Sequence, residues 1–166
     1  LYLDQWVKLT PYQVKLRQKH IQSAIQQINK FQLSSGGFSY WPGNYQFDEW
    51  ITSYTGQFLL EAKTAGFVVP ANMLKKWEKF QVKLVKGLNI NEAWASAETS
   101  QMNQAYRLYT LALAGKAEKG AMNQMRETKS LYLSAANRLA GAYALAGNKD
   151  IAIKILKSKH KKQTSI

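Results

Sequence analysis

Three stretches of the chain stop in the same way. "LLEAKTAG", "LYTLALAG" and "AYALAG" set Leu and Ala on successive positions and then reach Gly66, Gly115 and Gly147. Leu and Ala favour helix, and a glycine just past the last turn can take the left-handed conformation that closes one. Apolar residues between such stops recur near every 3.6 residues, and no stretch keeps a period of two. The pattern predicts an all-α chain of about seven helices. The glycine intervals are 49 and 32 residues. The second is close to the 34-residue tetratricopeptide period and the first is not, so irregular helix pairs fit better than a strict repeat. At 166 residues, one core is the first expectation.

Local signals place the helices. Thr10 can cap a helix that opens on Pro11 and runs to about Leu33, with Val14, Ile21, Ala24, Ile25, Ile28 and Phe31 inward. "LYLDQWVKL" before it reads as the end of a helix. "SSGG" stops the Pro11 helix, with Gly36 or Gly37 free to take positive φ. Asp48 resembles an N-cap, and the acidic pair Asp48 and Glu49 complements a helix dipole. The helix that follows has Trp50, Ile51, Tyr54, Phe58, Leu59 and Ala62 as its expected inward stripe. Pro70 opens another to about Val85, with Met73, Leu74, Trp77, Phe80 and Leu84 inward. A loop is expected around Gly87 to Asn91. Further helices cover "SAETSQMNQAYRLYTLALAG", "KAEKGAMNQMRET", "SLYLSAANRLAGAYALAG" and "KDIAIKILKS". Residues 159–166 read as a basic tail with little to order it.

The residue inventory narrows the chemistry. There is no cysteine, so disulfides, thiolate zinc sites and a Cys nucleophile are excluded within this chain. His20 and His160 lie far apart, in a helix and in the tail, so a His-rich metal site or a Ser-His-Asp triad is poorly supported. No cofactor and no metal are expected. Asp48 and Glu49 are explained by a helix N-terminus without acid–base work. Glu61 lies one turn after Gln57 beside an apolar stripe, which favours a half-buried carboxylate bonded to a backbone group of the facing loop. The net charge of +13 raises the idea of a nucleic-acid or anionic-membrane partner, but the basic residues are spread along helix faces in the manner of solvated surface. No nucleic-acid partner is expected. No apolar run reaches the roughly 18 residues of a membrane span.

One stretch remains. "QLSSGGFSYWPG" followed by "DEWITSYTGQFLLEAKTAGFVVP" carries Gln32, Gly36, Gly37, Phe38, Trp41, Pro42, Gly43, Asp48, Trp50, Thr52, Tyr54, Phe58, Leu59, Leu60, Glu61, Ala62, Gly66, Phe67 and Pro70. In this order and spacing they resemble the thioester-domain region of bacterial alpha-2-macroglobulin family proteins. "AYRLYTLALAGKAEKGAMNQMRE" and "RLAGAYALAGNKDIAIKIL" resemble that family's continuation, so the likeness covers most of the chain. It implies an α/α-toroid over residues 1–158, of which this segment carries the C-terminal majority. The aspartate-rich motif of terpene cyclases and the zinc ligands of prenyltransferases, which share that superfold, are missing, and fold kinship does not transfer chemistry.

In the family's thioester-bearing members the reactive Cys and Gln belong to a Cys-x-Glu-Gln motif, which falls upstream of the segment matching "LYLDQ". The resemblance therefore implies no catalytic residue here and a scaffolding role beside the thioester region of a protease-trapping parent. The implied partners are other domains of the same polypeptide, with proteases as targets of the parent. It also implies an exported or membrane-anchored parent, in the periplasm or at the cell surface, with this segment not itself membrane-inserted. Gly36, Gly37, Phe38, Tyr40, Trp41, Trp50 and Tyr54 are the candidate site residues, read either as an aromatic wall facing other domains or as a plain plug between two helices. A helical-repeat module of the tetratricopeptide type, holding a peptide in a concave groove, is the alternative.

Overall fold

A computed structural model describes residues 1–87 and 96–163 of the chain, with side chains as far as Ser158. Among these residues the secondary structure is seven α-helices and no strand: α1 Pro11–Ile28, α2 Glu49–Thr64, α3 Ala71–Lys86, α4 Ala97–Leu113, α5 Lys119–Arg126, α6 Leu133–Leu145 and α7 Lys149–Gln163. The all-α expectation is met. The loop expected around Gly87 to Asn91 lies outside the described residues beyond Gly87. No described helix is long and apolar enough to cross a membrane.

The repeated glycine stops have a common geometry. Gly66, Gly115 and Gly147 all have positive φ, at 88°, 73° and 83°. After α2, the Phe67 amide donates to the Ala62 carbonyl and the Gly66 amide to Lys63. The same pair of bonds recurs after α4, from Lys116 to Leu111 and Gly115 to Ala112, and after α6, from Asn148 to Tyr143 and Gly147 to Ala144. Each is a Schellman closure, which satisfies carbonyls that the helix itself leaves without a donor.

The chain divides into two compact units, Leu1–Trp77 and Glu78–Ile166, with the boundary inside α3. In the first, Thr10 and Gln13 form a reciprocal capping box ahead of Pro11. α1 buries Ile21 and Ile25, while Ala24 is exposed rather than inward. Gln22 ties α1 to the α2–α3 connection: its Nε2 donates to the Val68 carbonyl at 2.9 Å, and its Oε1 accepts from the Val68 amide at 3.3 Å. The segment before α1 is a single 3-10 turn, Leu3–Gln5, instead of a helix end. Asp4 holds it to α1 through Arg17, at 2.6 Å.

The second unit is an Ala- and Leu-rich helical core. α6 packs against α4 and α7, and Leu108, Leu111, Met122, Ala135, Leu139 and Ala142 are fully enclosed. Small residues on α6 let its neighbours approach closely. A Cβ added at Gly141 would lie 3.1 Å from the Tyr109 ring. The buried Arg107 donates from Nε to Gln81 at 3.2 Å and from Nη1 to Gln104 at 2.7 Å. Such pairing is what a guanidinium needs when it is withdrawn from water. Arg138 lies over the rings of Tyr106 and Tyr109 at 4.5 and 5.0 Å. Burial raises the pKa of the Tyr143 hydroxyl, which donates to Asn123 at 2.6 Å.

Candidate functional site

The aromatic stretch between α1 and α2 is a hydrogen-bonded hairpin. After α1, one 3-10 turn (Asn29–Phe31) leads into extended Gln32. Gln32 pairs with Phe38 in an isolated antiparallel bridge. The Leu33 amide donates to the Gly37 carbonyl at 2.9 Å, and the Gly36 amide closes the tip on Leu33 at 2.9 Å. Gly36 has φ of 106°, a conformation that costs side-chain-bearing residues energy and leaves glycine free. The Gln32 side chain fixes the hairpin from outside, donating from Nε2 to the Met73 carbonyl at 2.9 Å and to Gly36 at 3.3 Å.

Thr52, in the first turn of α2, binds the other arm. Its hydroxyl accepts from the Phe38 amide at 2.9 Å and donates to the Phe38 carbonyl at 3.3 Å. The Asp48 amide donates to the same carbonyl at 2.9 Å. Phe38 is fully buried, and enclosing a ring of that size stabilises the packed loop by roughly 2–3 kcal/mol. The Thr52 carbonyl also accepts from the Trp77 indole N–H at 2.9 Å. Trp77 lies so close to α2 at Gly56 that an added Cβ there would sit 2.1 Å from the indole. Gly36, Gly37, Phe38, Thr52, Gly56 and Trp77 thus define the loop's inner side.

This close approach corrects the expected face of α2. The buried residues are Thr52, Ser53, Gly56, Leu59 and Ala62. Trp50 and Tyr54, expected inward, are exposed, Tyr54 to 59%. The physical reason is the indole of Trp77. It needs a flat, small-residue surface, so the helix turns Thr52 and Gly56 toward it and its large aromatics away. Hydrophobicity alone points to the bulkier stripe. The signal that could have found the true face is the spacing of small residues in "TSYTG", four positions from Thr52 to Gly56, followed by Leu59.

The seven candidate residues therefore separate. Gly36, Gly37 and Phe38 are buried, whereas Tyr40, Trp41, Trp50 and Tyr54 are exposed. Trp41 is 66% exposed and meets Tyr40 edge to face, with ring centroids 5.0 Å apart. The buried Ser39 hydroxyl donates to the Trp41 carbonyl at 2.8 Å, and the Ser39 amide donates to the Phe31 carbonyl at 3.0 Å. The exposed aromatics thus stand on an anchored backbone.

The acids have structural employment. Asp48 caps α2 by accepting from the Ile51 amide at 2.7 Å, and Glu61 accepts from the Gln57 side chain at 2.7 Å while half-buried. Its partner is a side chain one turn earlier on the same helix. His20 is exposed on α1, and the His160 side chain lies outside the described residues. Among the described residues no group of three or more His, Cys, Asp or Glu is placed to hold a metal. What this surface offers is shape and aromatic contact area.

No protein-family model matches the chain. Its fold class is that of helical segments within very large bacterial proteins. It overlays a C-terminal portion of native alpha-2-macroglobulin from Escherichia coli with a TM-score of 0.80 at 19% identity, covering 93% of this chain and 25% of that one. Alpha-2-macroglobulin from Salmonella, reacted with methylamine, gives 0.78 at 23% identity, covering 91% and 10%. In sequence the chain is similar to curated proteins named alpha-2-macroglobulin. It is 28% identical over 123 residues to one from Xylella fastidiosa, which is 73% of this chain and 7% of that protein. It is 24% identical over 117 residues to one from Escherichia coli, 69% and 7% respectively. The resemblance to the bacterial alpha-2-macroglobulin family is borne out, and the chain spans about 7% of the length of these curated relatives.

Proposed function

We propose that the chain is a non-enzymatic segment of a bacterial protease-trapping protein of the alpha-2-macroglobulin kind, and that it scaffolds and shields that protein's thioester region. In the parent, residues 1–158 contribute helical hairpins to an α/α-toroid, and the basic residues 159–163 continue α7. The parent is exported, to the periplasm or the cell surface. An attacking protease cuts it, and the resulting change of shape entraps the protease. One structural neighbour is an Escherichia coli alpha-2-macroglobulin activated by trypsin and another a methylamine-reacted Salmonella protein, which supports carrying this behaviour to the parent.

The observation that carries the reading at the level of residues is the division of the loop's aromatics. Phe38 is sealed inside, held by Thr52, while Tyr40, Trp41, Trp50 and Tyr54 face outward on a braced backbone. Large exposed aromatics are interface residues far more readily than solvent-facing ones. In the assembled parent they form the wall that meets neighbouring domains.

The test is trypsin treatment of the parent polypeptide. Capture leaves trypsin active on a small peptide substrate and blocked toward a large protein substrate. The native parent is expected to capture, and the variant carrying Trp41→Ser, Trp50→Ser and Tyr54→Ser to capture measurably less. A parent that trypsin digests without capture would overturn the trapping assignment. Capture unchanged in the variant would overturn the wall.

A further inference from the structure

The second unit carries most of the charge. Between Glu78 and Ile166 there are fifteen Lys and Arg residues against six Asp and Glu. α7 concentrates it, with six lysines and one acid in fifteen residues. Its inner side is closed by the buried Ala152 and Ile155. On the outer side Lys149, Ile153, Leu156 and Lys157 fall within an arc of about 100°, at 3.6 residues per turn. Lys154 flanks them. Ile153 is 48% exposed, and all three of these lysines are exposed. Asp150 sits in the first turn, four residues before Lys154, and offsets part of the charge there.

We propose that this face of α7 is a peripheral contact for an anionic lipid surface, with Ile153 and Leu156 entering the headgroup zone between Lys149, Lys154 and Lys157. A basic helix that exposes apolar side chains among its lysines suits a surface that can take up both, as an anionic lipid layer does. Nucleic acid explains the lysines but leaves the two apolar side chains without a role. The basic residues on this helix are also all Lys, point charges on flexible stems. They suit a diffuse layer of negative charge better than the bidentate phosphate recognition that Arg provides. The contact is independent of the proposed role of the first unit.

Co-sedimentation of the 166-residue chain with lipid vesicles tests it. The chain is expected to bind phosphatidylcholine vesicles containing a third phosphatidylglycerol, and to leave vesicles of phosphatidylcholine alone. Lys154→Gln with Lys157→Gln is expected to weaken binding about 25-fold, from two lost headgroup attractions. Ile153→Ser with Leu156→Ser is expected to weaken it about tenfold with the charge unchanged. All four positions are exposed, so helical circular dichroism stays at the native level. Equal binding to neutral and anionic vesicles would overturn the proposal. So would an Ile153→Ser, Leu156→Ser variant that binds as the native chain does. Duplex DNA binding that is tighter than vesicle binding and unaffected by that variant would reassign the face to nucleic acid.

Discussion

The hairpin with α2 and the α4–α6–α7 core are built on different principles. In the second, volume decides. Leu108, Leu111 and Leu139 meet alanines across closely packed helices, and the buried stripes follow apolar periodicity. In the first, directional bonds and one close approach decide. Thr52 holds both backbone groups of Phe38, Gln32 reaches Met73, and Trp77 lies on Gly56. The residues that hydrophobicity would bury, Trp50 and Tyr54, are outside. An element whose inner face is chosen by hydrogen bonds is free to present its large aromatics to something else.

Near-isosteric substitutions should separate the two regions. The largest effect is expected at Gly56→Ala, which drives a methyl into the Trp77 indole and should cost about 3 kcal/mol in chemical denaturation, with Trp77 fluorescence shifted to the red. Gly141→Ala, where the Tyr109 ring lies at 3.1 Å, should cost less, since one ring edge has only to move by a few tenths of an ångström. Next comes Thr52→Val, which keeps the volume and removes the acceptor of the buried Phe38 amide. A loss of about 2 kcal/mol is expected. Leu139→Met in the second region also keeps the volume but breaks no hydrogen bond, and should stay below about 1.5 kcal/mol. Equal losses at Thr52 and Leu139 would erase the distinction.

These contrasts mark what was legible in the sequence. The helix count, the Pro11 and Asp48 starts and the Gly66, Gly115 and Gly147 stops were readable because each rests on local chemistry that a few neighbouring residues contain. The face of α2 was not. It depends on Trp77, which is distant in sequence, and on a glycine whose importance appears only when the indole is laid beside it. The buried Arg107 escaped notice for a similar reason: its amide partner Gln81 comes from another helix, 26 residues earlier. For the candidate site, the stretch was recognisable as a motif, but its division into a sealed Phe38 and outward Tyr40 and Trp41 required the hairpin's hydrogen bonds.

The smallest expected effect concerns acid. The hydrogen bond from Arg17 holds the Asp4 carboxyl below its ordinary value of 3.8. Because the folded value is lowered, the contact contributes in full above about pH 4 and is lost as pH falls through the folded value. Amide protection relative to the intrinsic exchange rate in Leu1–Val7 should therefore fall as pH drops below 3.8, and Asp4→Asn should show the low protection throughout. An acid-induced change there that Asp4→Asn does not remove would place the switch elsewhere.

The central claim is that Trp50 and Tyr54 on α2, like Trp41 on the loop, turn outward for the proposed contact with the rest of a larger polypeptide, while Trp77 is committed to the interior. Hydroxyl-radical footprinting of Trp41, Trp50 and Trp77, in the 166-residue chain and in the parent, measures it directly. In the chain alone, Trp41 and Trp50 should be labelled rapidly and Trp77 slowly. In the parent, Trp41 and Trp50 should become protected to the level of Trp77. Labelling of Trp41 and Trp50 at the same rate in both would contradict the account, as would a Trp77 that labels as fast as they do.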